Sequence, residues 1–407
     1  MKSLSTANTQ AISALALPSL TFLFFIWGFI TCLNDILIPH LKAVFDLNYT
    51  QAMLIQFCFF TAYFLVSLPA GALINRVGYQ RGIVTGLLIA GLGTLNFIPA
   101  AHFHSYPWFL VSLFVLASGI TILQVAANPY VSVLGPERTA SSRLTMTQAF
   151  NSLGTTLAPL FGAVLILGSL DNSPGASAVQ LPYLLLTGVL FLVALVFAKL
   201  NLPAVQHQQT TSALAWGELK SHRLLLLGAV GIFVYVGAEV AIGSVLVNFI
   251  GSAHVLQLAE SEAAHYVAWY WGGAMVGRFI GAAVMQRVAG GLMLSLHAAA
   301  AIVLLLLAMN SSGQLALWAI LAVGLANSIM FPTIFSLSLR GLKQHTGQGA
   351  GLLCLVIVGG AIVPLLQGVL ADTFGLTQSL LLPVICYGYI AWFGWRSLQA
   401  AQAGKGE

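Results

Sequence analysis

The chain has 407 residues, 59% of them hydrophobic and 6% charged, with a formal net charge of +5. Soluble domains carry about 25% charged residues, so this composition excludes a water-facing surface over most of the molecule and makes the bilayer its solvent. Hydrocarbon offers no partner to a free peptide group, and the long apolar runs lack the short alternation of barrel strands, so the spanning segments are expected to be helices of about 20 residues.

Breaks at charged, Gly, Pro and Asn positions predict spans over 18–40, 51–74, 82–101, 107–134, 145–170, 180–203, 223–251, 263–286, 290–310, 314–340, 348–371 and 377–396. The tail Met1–Ala16 runs straight into the first span, so no cleaved signal peptide is expected. The polar stretch Pro203–His222 divides six spans from six. The expected domains are an N-terminal six-helix bundle (1–203), a cytoplasmic linker (204–222) and a C-terminal six-helix bundle (223–407). With the N-terminus inside, 14 of the 15 Lys and Arg fall on the inner side, Arg278 among them at the inner end of span 8, and Lys42 alone lies outside. Both termini are therefore expected to be cytoplasmic. The positive charge reflects membrane anchoring and carries no sign of nucleic-acid binding. Cys32, Cys58, Cys354 and Cys386 all lie in apolar runs and are expected as small buried hydrophobes.

The halves repeat. Gly154–Pro159 reads G-T-T-L-A-P and Gly359–Pro364 reads G-G-A-I-V-P, at an offset of 205. Pro129 in span 4 and Pro332 in span 10 lie 203 apart. Parallel six-span repeats are typical of transporters whose two bundles rock about a midplane site.

Two acids fall inside predicted spans: Asp35 in span 1 and Glu239 in span 7, 204 apart. A carboxylate at membrane depth costs several kcal/mol unless paired, wetted or protonated, so both are candidates for cation coupling. Amides accompany them. Asn34, Gln124, Asn128, Gln148, Asn151, Asn248 and Asn327 are candidate substrate-binding residues, with Gln56 and Gln367 also inside spans. Many amides with few charges suit a neutral polar ligand. An anionic one would call for Arg or Lys at mid-membrane, and the sequence places none there. Span 8 opens with Tyr266, Trp269, Tyr270 and Trp271, an expected interfacial belt. Trp271 is the candidate to stack on the apolar face of a sugar ring. His297 in span 9 is expected to be a packing residue.

The turn between spans 2 and 3, Gly71-Ala-Leu-Ile-Asn75-Arg76-Val-Gly78-Tyr-Gln-Arg81, resembles the major facilitator superfamily loop G-x-x-x-D-R-x-G-x-x-R, with Asn75 in place of Asp. Trp27–Pro39, Gln124–Pro129 and Arg143–Gly154 resemble the fucose–proton symporter family. Tyr235–Ser244 and Asn327–Phe335 resemble its glucose/galactose branch. The resemblance covers essentially the whole chain. It implies an all-α major facilitator fold of 12 transmembrane helices in two pseudo-symmetric bundles. It also implies hexose uptake coupled to a cation across a bacterial inner membrane. Asp35 matches the family's functional acid in span 1, and Gln148 and Asn151 match positions lining the sugar cavity. Fucose carriers have a Glu in span 4 where this chain has Gln124, and an amide where this chain has Glu239. The carboxyl duty is therefore expected to have moved from span 4 to span 7.

The expected activity is import of glucose or galactose, with N-acetylglucosamine open as a substrate. Proton coupling is favoured over sodium, which would use Asp35 or Glu239 with amide or carbonyl oxygens. No cofactor beyond that ion is expected, and the expected state is a monomer in the lipid bilayer. The rivals are a proton-coupled exporter of drugs or metabolites and a membrane sugar sensor. An enzyme is not expected: H-E-x-x-H, G-x-S-x-G and G-x-x-x-x-G-K-[ST] are all absent.

Overall fold

In hydrocarbon a backbone must close its hydrogen bonds locally, and the apolar runs do so as helices. The computed structural model describes residues 15–32, 49–162, 180–200, 202–203, 222–342 and 345–403. Its helices are α1 (Leu15–Cys32), α2 (Tyr49–Val77), α3 (Tyr79–His102), α4 (Tyr106–Val133), α5 (Ala140–Gly162), α6 (Gln180–Lys199) and α7 (Arg223–Gly251). There follow α8 (Glu260–Val284), α9 (Gly290–Asn310), α10 (Gly313–Asn327), α11 (Met330–Ser338), α12 (Thr346–Leu355), α13 (Gly359–Phe374) and α14 (Leu381–Ala403). Among the described residues, nine helical stretches are long and apolar enough to cross a membrane. The less apolar α5 and α8 and the shorter α6 complete twelve.

Spans 7 and 9 occupy the residues expected of them. Two others are each interrupted. The tenth breaks between α10 and α11 at Ser328 and Ile329, and the eleventh passes through a 3-10 turn, Val356–Val358, between α12 and α13.

The chain forms two compact units. The first comprises Met1–Leu134, Phe150–Ala215 and Leu342–Leu355, and the second Gly135–Ala149, Trp216–Gly341 and Val356–Glu407. Chain order alone assigns 135–149 to the first bundle and 342–355 to the second, whereas packing assigns each the other way. In the second unit Ser141 Oγ shares a hydrogen bond with Ser336 Oγ at 2.8 Å, and Ser142 Oγ donates to the Ala282 carbonyl at 2.6 Å. In the first unit Gly351 lies against the Ser67 carbonyl and Gly71 of α2, and Gly347 against the Asn75 side chain and the Gly71 carbonyl.

The repeated glycines have one structural job, performed once in each unit. A Cβ on Gly154 of α5 would collide with the Phe25 carbonyl of α1. A Cβ on Gly359 of α13 would collide with the Phe233 carbonyl of α7. Fifth against first and eleventh against seventh, the spans meet backbone to backbone, the close approach that small residues permit in membranes. Asn151 adds to the first of these seams: its Nδ2 donates to the Phe24 carbonyl at 2.9 Å, and its own carbonyl occupies the space a Cβ on Gly28 would need.

Replacing Gly359 with Ala is expected to cost about 1–3 kcal/mol through overpacking, seen as earlier thermal unfolding in detergent. Gly368→Ala lies on the same helix where a Cβ meets open space, and is expected to stay within about 1 kcal/mol of the parent. Equal behaviour of the two variants would remove close approach as the reason for the glycine.

Candidate functional site

The break in the tenth span organises the site. Proline has no N–H, so Pro332 cannot donate to the Ser328 carbonyl four residues earlier. That carbonyl accepts instead from Arg278 Nε of α8 at 3.1 Å. The preceding carbonyl, of Asn327, accepts from the Tyr235 hydroxyl of α7 at 3.1 Å. The one before it, of Ala326, lies 3.0 Å from His297 Nδ1 of α9. A carbonyl can only accept, so this contact places the ring proton on Nδ1. Three helices thus supply side-chain donors to three consecutive carbonyls.

Local sequence makes room for this arrangement. Gly273, Gly277 and Gly281 recur every four residues and line one face of α8. A Cβ on Gly277 would lie 2.5 Å from Ser328 Oγ, and one on Gly281 would collide with the Ile329 side chain. Gly324 of α10 likewise lies against the Tyr270 carbonyl. The broken segment therefore seats on bare α8 backbone, with Arg278 beside it.

Asn327 is the hub. Its residue is 0% exposed. Its Oδ1 accepts from the Tyr387 hydroxyl of α14 at 2.6 Å, and its Nδ2 donates to the Tyr270 hydroxyl at 2.8 Å. Tyr235, Tyr270 and Tyr387 are buried. Tyr235 also donates to Glu239 Oε1 at 2.8 Å, one turn further along α7. Glu239 is half-buried, and the Arg278 charge acts on it. Trp271 packs beside α7 a further turn along, at Gly243: a Cβ there would sit in ordinary contact, 3.5 Å from the indole. Trp271 is 43% exposed and meets the Tyr270 ring edge-on, centroids 5.2 Å apart. A half-buried carboxyl, an exposed indole one turn away and a buried polar floor can hold a polyhydroxylated ring and a small cation.

The other candidates are distributed as follows. Gln124 is buried in the first unit, its Oε1 accepting from the Tyr63 hydroxyl at 2.8 Å. Asn128, one turn away on α4, is also buried. Asn151 is committed to the α1 seam. Gln148 is buried within the part of α5 that belongs to the second unit, so it does not share a unit with Asn151. Asn248 is exposed; nine residues beyond Glu239, at about 100° per residue, it lies on the opposite face of α7. Asn34 and Asp35 lie outside the described residues.

Two expectations are corrected. Tyr270 belongs to no interfacial belt, being buried against Asn327. Arg278 is not at a helix end: it stands inside α8, which continues to Val284, and reaches the break in α10. Sequence reasoning also missed the roles of Tyr235 and Tyr387. The G-x-x-x-G-x-x-x-G run at 273–281, enclosing Arg278, would have marked α8 as a packing face rather than a lipid-facing one. The i, i+4 spacing of Tyr235 and Glu239 puts them on one helix face.

The chain is 59% identical over 391 residues to a glucose/galactose transporter of Brucella abortus biovar 1 (strain 9-941), covering 95% of both chains. It is 34% identical over 397 residues to an L-fucose-proton symporter of Escherichia coli (strain K12), covering 90% of each. Among solved structures it is similar to FucP, a major facilitator superfamily transporter in the outward conformation, with a TM-score of 0.88 at 33% identity, covering 95% of this chain and 99% of that one. The family model for the Major Facilitator Superfamily matches residues 19–364. The chain belongs to that superfamily of transporters, with its fold of twelve membrane helices in two pseudo-symmetric six-helix bundles.

Proposed function

We propose that this protein is a proton-coupled symporter that imports a hexose, glucose or galactose, by alternating access. In this proposal it works as a monomer in a bacterial inner membrane with both termini in the cytoplasm, and needs no cofactor besides the coupling ion. The observation that carries the proposal is Glu239: a half-buried carboxyl on α7, bonded to Tyr235 and one turn from an exposed indole. The identity to a glucose/galactose transporter supports the substrate, and the likeness to an L-fucose-proton symporter supports the ion.

Local chemistry favours a proton over sodium at Glu239. A hard cation wants several oxygen acceptors, and the hydroxyl bonded to this carboxyl donates to it. Asp35 is the second coupling carboxyl in the proposal, by its place in span 1. In the proposal Arg278 serves the backbone, its Nε donating to the Ser328 carbonyl. Trp271 supplies the stacking surface, and Gln124, Asn128, Gln148 and Asn248 remain proposed sugar contacts. Asn151 and Asn327 stand in the proposal as residues that also tie helices together.

Glu239→Gln is expected to abolish uphill hexose accumulation in vesicles while sparing downhill exchange. In the parent, an imposed proton gradient is expected to drive accumulation and an imposed sodium gradient is not. Undiminished accumulation by the variant, or drive by sodium alone, would overturn the assignment. Trp271→Ala is expected to raise the apparent KM for hexose about fivefold, the worth of roughly 1 kcal/mol of ring contact, whereas Trp271→Phe should retain most of it. An unchanged KM for the alanine variant would take the indole out of the site.

A further inference from the structure

The Tyr235 hydroxyl has one proton and two acceptors in reach: Glu239 Oε1 at 2.8 Å and the Asn327 carbonyl at 3.1 Å. It can satisfy one fully at a time. We propose that Tyr235 is a positioning residue that couples the protonation of Glu239 to the break in the tenth span. The proposal rests on Glu239 being the coupling carboxyl and adds how its occupancy is felt elsewhere.

The two states follow from donor and acceptor chemistry. An ionised carboxylate accepts only, so it draws the Tyr235 proton, because hydrogen bonds to charged acceptors are the stronger ones. The Asn327 carbonyl then has no donor from α7. When Glu239 takes up a proton, its own O–H donates to the Tyr235 oxygen. The tyrosine O–H rotates about its C–O bond and donates to the Asn327 carbonyl. No covalent bond of Tyr235 breaks, and the proton that enters stays on Glu239.

The consequence is structural because of what Asn327 holds. Its carbonyl is the middle one of the three at the break, between those held by His297 and Arg278. Its side chain ties Tyr270 of α8 and Tyr387 of α14 to the same point. Loading Glu239 thus adds a tie between α7 and a junction already gripped by α8, α9 and α14. A cation can drive a conformational step only by bonding the two states unequally, and this hydroxyl supplies such a difference.

The surroundings leave Tyr235 as the titration-sensitive contact. Among the described residues, the charged and titratable groups acting on Glu239 from other helices are Arg278 and Tyr270 from α8 and Tyr387 from α14. Also on α14, Cys386 acts on Tyr387, and Tyr389 bonds the Leu227 carbonyl. Helices α10 and α11 and the turns Val356–Val358 and Leu376–Ser379 carry no titratable side chain, and α13 carries only Asp372, exposed near its far end.

The test compares wild type, Glu239→Gln, Tyr235→Phe and Tyr389→Phe in proteoliposomes, measuring hexose counterflow against pH and the infrared carboxyl band that Glu239→Gln removes. The expected result is a pH-dependent wild type and a flat Glu239→Gln. Tyr235→Phe should lose the pH dependence although its carboxyl band still titrates, and Tyr389→Phe, which loses a hydroxyl bridging α14 and α7 outside the cluster, should keep it. A flat Glu239→Gln with a wild-type profile in Tyr235→Phe overturns the relay alone. A pH-dependent Glu239→Gln overturns the coupling role of Glu239 and the relay with it. Should Tyr235→Phe fail to fold, the wild-type protein still decides. Titrating Glu239 must shift a tyrosine hydroxyl band that is static in Glu239→Gln, and its failure to move overturns the relay.

Discussion

A carbonyl freed from its helix inside a membrane must find another donor. Water is absent, and each unsatisfied peptide group costs several kcal/mol. Pro332 frees the Ser328 carbonyl, and the end of α10 at Asn327 brings two more within reach of side chains. From that one requirement follow the placements of Arg278, Tyr235 and His297 and the bare glycine face of α8. The polar interior of the second unit is first a solution to backbone bookkeeping. Glu239 enters it only through a hydroxyl that already serves the backbone.

The amides of the two units illustrate how one residue type serves two ends. Asn151 uses its Nδ2 to stitch α5 to α1, at a seam where Gly28 and Gly154 let the backbones touch. Asn327 uses both ends of its side chain, fixing two tyrosines from two helices. Asn327, wholly buried, offers no free amide to a ligand in this geometry. Gln124 differs in having an acidic counterpart in fucose carriers. Here its oxygen takes a tyrosine proton from Tyr63, just as the oxygen of Glu239 takes one from Tyr235. A tyrosine facing a carbonyl or carboxyl oxygen one helix turn or one helix away is thus common to both units.

Most of the fold was legible in the sequence because hydropathy and helix length are read directly from composition. Spans 7 and 9 came out residue for residue, and the G-x-x-x-x-P repeat marked the seams that Gly154 and Gly359 make. The break at Ser328 was not read, although Pro332 was, because a proline in the first turn of a new helix and one that merely kinks a continuing helix look alike in sequence. Arg278 was misplaced for a related reason. Charge near a span's end is ordinarily interfacial, and its bond to a carbonyl 50 residues away, that of Ser328, leaves no local signature. Membership of 135–149 in the second unit rests on hydrogen bonds such as Ser141 to Ser336, which leave no local signature. Asp35, read as one of the two coupling acids, and Asn34, read as a substrate contact, lie outside the described residues.

The Arg278 charge acts on Glu239 through space, and this constrains the loaded state of the proposed cycle. With Glu239 ionised, the two formal charges cancel. A proton on Glu239 leaves the guanidinium charge uncompensated at membrane depth, where a lone cation costs several kcal/mol. The break supplies the answer that an unbroken helix could not. Arg278 donates at the C-terminal end of α10, where exposed carbonyls concentrate about half a negative charge from the aligned peptide dipoles. The same discontinuity that frees the Asn327 carbonyl for Tyr235 therefore supplies a fixed counter-charge for Arg278. It gives the guanidinium a partner whichever protonation state Glu239 takes in the proposed cycle. In the proposed cycle that independence matters, because a carboxyl that is always loaded or never loaded can move no substrate uphill.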